Sequence, residues 1–162
     1  MDMGFSVLEW RGREVGFVAA VAAVVVGVSV VQLGQGQMKA RDAQRKADVE
    51  LVGRALAAYF VEHDQYPPGS NGLIVSCGGR AIETCGWGGE NLGDGEGTVY
   101  LRKLPVDPLA DRGATYVYEV NETRQKFRLY VALEWRRDPA YKNNLTAECG
   151  SNVQCNWYVE SR

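Results

Sequence analysis

"ARDAQRKADVELVGRALAAYFVEHDQYPP", residues 40–68, decides how this chain folds. Val49, Val52, Leu56, Tyr59 or Phe60, and His63 return at intervals of three and four, which puts them on one stripe of a helix. The small residues Ala43 and Ala47 extend the stripe backward. Arg45, Lys46, Glu50, Arg54 and Glu62 fall to the opposite face. Glu50 precedes Arg54 by one helical turn, a pairing that adds a few tenths of a kcal/mol. The helix stops at Tyr66-Pro67-Pro68, because a proline cannot donate a backbone hydrogen bond and Pro67 restricts Tyr66.

Upstream lies "VGFVAAVAAVVVGVSVVQL", residues 15–33, about 19 residues without a charge. That length crosses a hydrocarbon core as a helix. It exceeds the apolar region of a cleaved signal peptide, and no clean small-residue cleavage site follows. A soluble core helix would carry a polar face, and this stretch has none, so hydropathy predicts a membrane span. No proline interrupts residues 14–64, so span and stripe can run as one helix. Gly34 and Gly36 are its weak point, where a bend or melted turn would sit, since each costs about 1 kcal/mol relative to alanine.

Arg11 and Arg13 stand just before the span and favour a cytoplasmic amino terminus; Lys39 and Arg41 beyond it pull the other way. The cysteines decide between them. Cys77, Cys85, Cys149 and Cys155 all follow the span and fall as two close pairs. An even count in a small exported domain points to disulfides, with Cys77–Cys85 and Cys149–Cys155 preferred among the three connectivities. Four thiolates can also hold zinc, but these intervals are longer than the usual gap within a zinc pair.

Downstream, residues 69–113 are rich in turn formers and read as irregular. Two alternating strands follow. "ATYVYEV" places Tyr116, Tyr118 and Val120 on one side, and "KFRLYVALEW" places Phe127, Leu129, Val131, Leu133 and Trp135 on one side. "NETRQ" between them is a hairpin loop, and "NWYVES" adds an edge strand. The fold class is therefore α+β: a long N-terminal helix, half membrane-spanning and half amphipathic, packed on a small antiparallel sheet. The 162 residues hold one domain plus an appendage, divided as 1–13, 14–37 and 38–162. A net charge of -2 supplies no basic field for nucleic acid.

Three stretches together resemble the type IV pilin superfamily, and most of all the major pseudopilins of type II secretion and their pilus relatives. They are the charged-alanine run of residues 40–68 closing in "YP", the "YLRKLPVDPLADRGATYVYEV" stretch at 100–120, and the apolar span upstream. The resemblance implies a pilin-like fold and a structural role, not an enzyme. A subunit of this kind is stored in the inner membrane with its head exported. It is then packed helix against helix with copies of itself into a surface or periplasmic filament. Inner-membrane assembly machinery and a prepilin peptidase are the partners implied, and nucleic acid is not required. The C-terminal cysteine loop is also similar to the disulfide-bounded region of many pilins.

The family cuts its leader after a glycine, often before phenylalanine, and keeps a glutamate fifth in the mature chain. Gly4, Phe5 and Glu9 match that pattern in "GFSVLE", but Trp10-Arg11-Gly12-Arg13-Glu14 then interrupts the apolar run. Two arginines in hydrocarbon are expensive, and counting back from "ARDAQR" also selects Glu14. Glu14 is therefore the favoured assembly glutamate, with Glu9 the rival. Many pilins carry a proline in the first helix; here Gly27, Ser29, Gly34 and Gly36 are the residues that could loosen it.

Glu90, Asp94 and Glu96 in "GGENLGDGEGT" suggest calcium, which takes oxygen ligands on flexible loops; some major pseudopilins bind it there. Asp107 and Asp111 could add ligands, although an aspartate before proline also shapes a turn. Asn121 and Asn144 begin N-x-T sequons and are candidate glycosylation sites. Tyr116, Tyr118, Tyr130, Trp135 and Trp157 read as core or sheet-face residues, with a sugar-binding platform as the sharper alternative. The lone His63 argues against a histidine-based metal site or a catalytic triad, and no phosphate loop or dinucleotide fingerprint appears. A second class of function fits Arg11 and Arg13: a signal-anchored exported binding domain that does not polymerise.

Overall fold

The computed structural model of the chain describes residues 12–77 and 80–161. One helix, α1, runs Gly12–His63 without interruption. Gly34 and Gly36 stay helical, so the melted turn expected there does not form. Residues through Met38 make one compact unit and Lys39 onward makes another.

Among the described residues, the second unit contains the last turns of α1, eight short strands and a 3-10 turn at Ala110–Arg112. β1 (Gly69–Ser70), β2 (Leu73–Cys77), β4 (Leu92–Gly93) and β5 (Val99–Leu101) form an antiparallel sheet in that order, with β3 (Arg80–Thr84) paired on β2. The segment that reads as irregular thus carries the short strands β1 to β5 between its turns. Two of its strands are only two residues long, so they carry no alternation to read; pairing with distant neighbours makes them strands. A second antiparallel sheet joins β6 (Val117–Val120), β7 (Phe127–Val131) and β8 (Trp157–Glu160) in that order. The architecture is α+β, a long N-terminal helix packed on small antiparallel sheets.

The core lies where the helix stripe meets both sheets. Val49, Val52 and Leu56 are fully buried there, against Ile74, Leu92, Leu104, Tyr116, Tyr118, Leu129 and Val131. β7 alternates as its sequence implies. Phe127, Leu129 and Val131 face this core, while Tyr130 faces a second cluster around the Cys149–Cys155 bridge. The inward alternation continues to Leu133 although the ladder ends at Val131. Asn156 explains the continuation: its side-chain amide donates to the Leu133 carbonyl and accepts from the Leu133 N–H, replacing a backbone rung.

The stripe is not extended backward by Ala43 and Ala47, which are exposed. It continues through Arg45 and Asp42, which are buried. Positions 42, 45, 49, 52, 56, 59 and 63 keep the three-and-four spacing, so the helical period holds while the polarity changes. At the other end Asp64 takes a left-handed conformation (φ 54°) and donates to the Phe60 carbonyl, closing α1. The β6–β7 loop then covers the exit. The Tyr66 N–H donates to Arg124, and the Gln125 side chain donates to the Asp64 carbonyl. Gly150 holds a crossing that no side chain would permit: its φ is 136°, and a Cβ there would sit 2.1 Å from the Gly113 carbonyl oxygen.

Candidate functional site

The feature that most needs a functional account is the upstream part of α1. Its most apolar 18-residue window, within a helix long and apolar enough to cross a membrane, has no buried share at all. Phe17, Val24, Val30 and Leu33 are each about two-thirds exposed or more. A run of this kind is far beyond the scattered surface apolar residues of an ordinary soluble domain. Ser29, which with Gln32 is polar within residues 15–33, returns its hydroxyl to the Val25 carbonyl, which removes an unpaired donor from the apolar surface. Glu14 is exposed in the first turn, where the helix dipole favours a carboxylate. Gly4, Phe5 and Glu9 lie outside the described residues.

Residues 39–63 of the same helix are fixed into the head by charge as well as by apolar packing. The Arg45 guanidinium, 1% exposed, forks onto Asp107 with Nε to Oδ2 at 2.8 Å and Nη2 to Oδ1 at 3.0 Å. Its Nη1 donates to Asp42 Oδ1 and to Glu134 Oε1, both at 2.8 Å. Asp42 in turn accepts the backbone N–H groups of Glu134 and Trp135. Arg41 makes a second fork onto Glu134, and Lys46 pairs with Asp138 at 2.7 Å. Arg41 holds the Glu134 carboxyl below the usual carboxylate range, burial opposing and Arg45 assisting. Lys46 does the same for Asp138. Arg45 and Lys46 therefore do not lie on a solvated face, because carboxylates from the Asp107 turn and from residues 134–138 come to meet them. Asp107 both shapes its turn, accepting the Leu109 N–H, and anchors the helix.

The cysteines pair within each short interval, Cys77 with Cys85 and Cys149 with Cys155, and all four are buried. The loop carboxylates suggested for calcium behave differently. Glu90 is exposed and accepts the Gly86 N–H; Glu96 is exposed. Asp94 is buried, and its Oδ1 accepts the N–H groups of Glu96 and Thr98. Among the described residues, the carboxylates that converge with Asp94 are not Glu90 and Glu96 but Glu62, together with His63. Burial pushes the Asp94 carboxyl up, yet the Thr98 and Glu96 backbone groups and the Tyr100 hydroxyl outweigh it and hold it at about 2.

Asn121 turns its side chain into the β6–β7 loop. Its amide donates to the Thr123 hydroxyl, and its oxygen accepts from the N–H groups of Gln125 and Lys126. Tyr116, Tyr118 and Tyr130 are buried, while Trp135 and Trp157 are partly exposed with Lys39 and Lys46 over their rings. Two groupings escaped the sequence: the Arg45 cluster and the Glu62–His63–Asp94 set. The first had a signal, since stepping back four and three from Val49 lands on Arg45 and Asp42. The second had none, because Asp94 approaches from a separate strand end. No family model, curated protein or solved structure matches this chain.

Proposed function

We propose that this chain is a structural subunit of a type IV pilus or type II secretion-like pseudopilus. It is held in the inner membrane by residues 15–33 and transferred from lipid to a helical bundle of its own copies. The observation that carries the reading is an apolar helix segment with no buried share among the described residues, continuous in sequence with a segment locked into a disulfide-bonded unit. Lipid and neighbouring copies are the two environments that can cover such a surface without water. Glu14 supplies direction. A carboxylate drawn toward hydrocarbon strongly favours a state that offers it a cationic partner, such as a neighbour's terminal amine.

The test is the Glu14→Ala chain in cells that carry the assembly machinery. Filament yield in the sheared fraction is expected to drop about tenfold or more, with the head still folded and both disulfides intact. Undiminished yield removes Glu14 from assembly. Absence of the wild-type chain from fibres, together with stable membrane retention, selects the reading that Arg11 and Arg13 favour, an anchored exported domain that never polymerises. The amino-terminal sequence of the fibre subunit reports processing: a start at Phe5 places Glu9 in the assembly position instead.

A further inference from the structure

The end of α1 brings Glu62 and His63 against Asp94, which follows β4, and the ligand atoms of all three lie within 4.8 Å of one another. Tyr100 of β5 stands in their midst. Its hydroxyl is 2.5 Å from Glu62 Oε2, 3.1 Å from Asp94 Oδ2 and 3.2 Å from His63 Nε2. A phenol has one proton, so it can donate fully to only one of the two carboxylates. The other faces oxygen lone pairs. Among the described residues, His63 is the one basic side chain ion-paired with this group, 3.5 Å from Asp94 Oδ2. With a neutral imidazole the group carries two negative charges and no positive one, in a setting where the Asp94 side chain is only 4% exposed. That imbalance is the reverse of the Arg45 cluster, where cations from the helix meet each carboxylate.

We propose that Glu62, His63 and Asp94 form a binding site for a borderline divalent cation of the zinc type. The donor set is one imidazole nitrogen and two carboxylate oxygens, which suits zinc and its neighbours, whereas calcium takes oxygen ligands alone. Three ligands on a tetrahedral zinc at about 2.0–2.2 Å stand roughly 3.3–3.6 Å from one another. The 3.5 Å separation of His63 Nε2 and Asp94 Oδ2 meets that spacing with little movement. Glu62 is the exposed member and closes by side-chain rotation.

The supporting shell is already set. The Asp94 Oδ1 is held by two backbone N–H groups, which turns Oδ2 toward the site. His63 lies against the Tyr59 ring, with centroids 4.2 Å apart, which fixes the plane of the imidazole. Outer partners of this kind orient ligands and raise affinity. Three protein ligands leave a fourth corner, which the Tyr100 hydroxyl faces at 3.1 Å from Asp94 Oδ2 and 3.2 Å from His63 Nε2. The bound cation ties the end of α1 to the β4–β5 sheet edge, whether or not the chain polymerises. A single histidine suffices for such a mixed site.

The experiment uses the full untagged chain in detergent micelles, stripped of metal, titrated with Zn²⁺ alone and separately with Ca²⁺. His63 is the chain's one histidine, so its imidazole resonances report the site directly. One zinc per chain is expected, with the His63 signals shifted and the melting temperature raised. His63→Gln and Glu62→Gln should each weaken zinc by about tenfold or more and shrink the melting shift accordingly. Both positions lie at the helix end with partial or full exposure, and circular dichroism checks that each variant keeps its fold. Saturation only above about 1 mM zinc, wild-type binding in His63→Gln, or Ca²⁺ binding as tightly with the imidazole signals unmoved would each overturn the site.

Discussion

The two parts of α1 share one helix and almost nothing else. Residues 15–33 have no charge, and the most apolar window of the helix has no buried share among the described residues. Residues 39–63 are specified nearly turn by turn: Asp42 and Arg45 in the buried charge cluster, Val49, Val52 and Leu56 in the core, His63 against Tyr59. A surface defined only by its hydrophobicity can exchange lipid for protein, because both offer the same dispersion and the same absence of water. A surface defined by forked ion pairs cannot be exchanged without leaving charges buried. One helix thereby carries a segment defined by hydrophobicity alone and a segment defined by particular partners.

The comparison breaks most completely where charge is added to the apolar part. Replacing Val24 and Val25 together with arginine adds roughly 5–7 kcal/mol to membrane insertion, taking each arginine at the helix centre as about 3. The variant should leave the carbonate-resistant membrane fraction while its head unfolds at the same denaturant midpoint as the wild type. A loss of head stability instead would show that the two parts are not independent.

The fixed part gives the converse. Arg45→Ala strands Asp42, Asp107 and part of Glu134 in a buried setting and should cost about 3–5 kcal/mol in urea unfolding, with membrane retention unchanged. Arg45→Met paired with Asp107→Leu should recover a good part of that loss, since the stranded carboxylate is removed with its partner. No recovery would mean that the fork organises the Asp107 turn beyond its charge.

Removing one bridge comes next. Cys149→Ser with Cys155→Ser opens a short loop and is expected to cost about 2 kcal/mol, the scale for loops of this length. The loss should appear as faster hydrogen exchange around Tyr130 and the chain end, with the Val49–Leu56 turns still protected. Exchange rising equally in both places would join two clusters that the packing separates.

The smallest effect sharpens the electrostatic side. Glu134, Asp138 and Asp94 all have carboxyls held below their ordinary values. Their contribution is complete above the unfolded carboxyl range near pH 4 and is lost as pH falls through the folded values, down to about 2 for Asp94. The urea midpoint should be flat from about pH 7 to 5 and decline below about pH 4. Arg41→Ala should make the decline shallower, because the Glu134 carboxyl then titrates closer to its unfolded value. A midpoint that rises on acidification would contradict the ion pairs.

What the sequence determined by itself is what short-range periodicity can encode. The uncharged block, the three-and-four stripe, the two-residue alternation of β6 and β7 and the close spacing of the cysteines each repeat within a few residues. Hydrophobic burial follows such patterns because it depends on area alone, whatever the partner. Tertiary structure decided where the charges went. Arg45 looks like a solvated surface residue until Asp107, 62 positions away, and Glu134, 89 away, are folded against it. Asp94 looks like one of three loop carboxylates until its strand end meets Glu62 and His63. The two-residue strands β1 and β4 likewise exist only through their neighbours. An ion or a backbone rung is satisfied by a specific partner in a specific geometry, and nothing local in the chain records who that partner is.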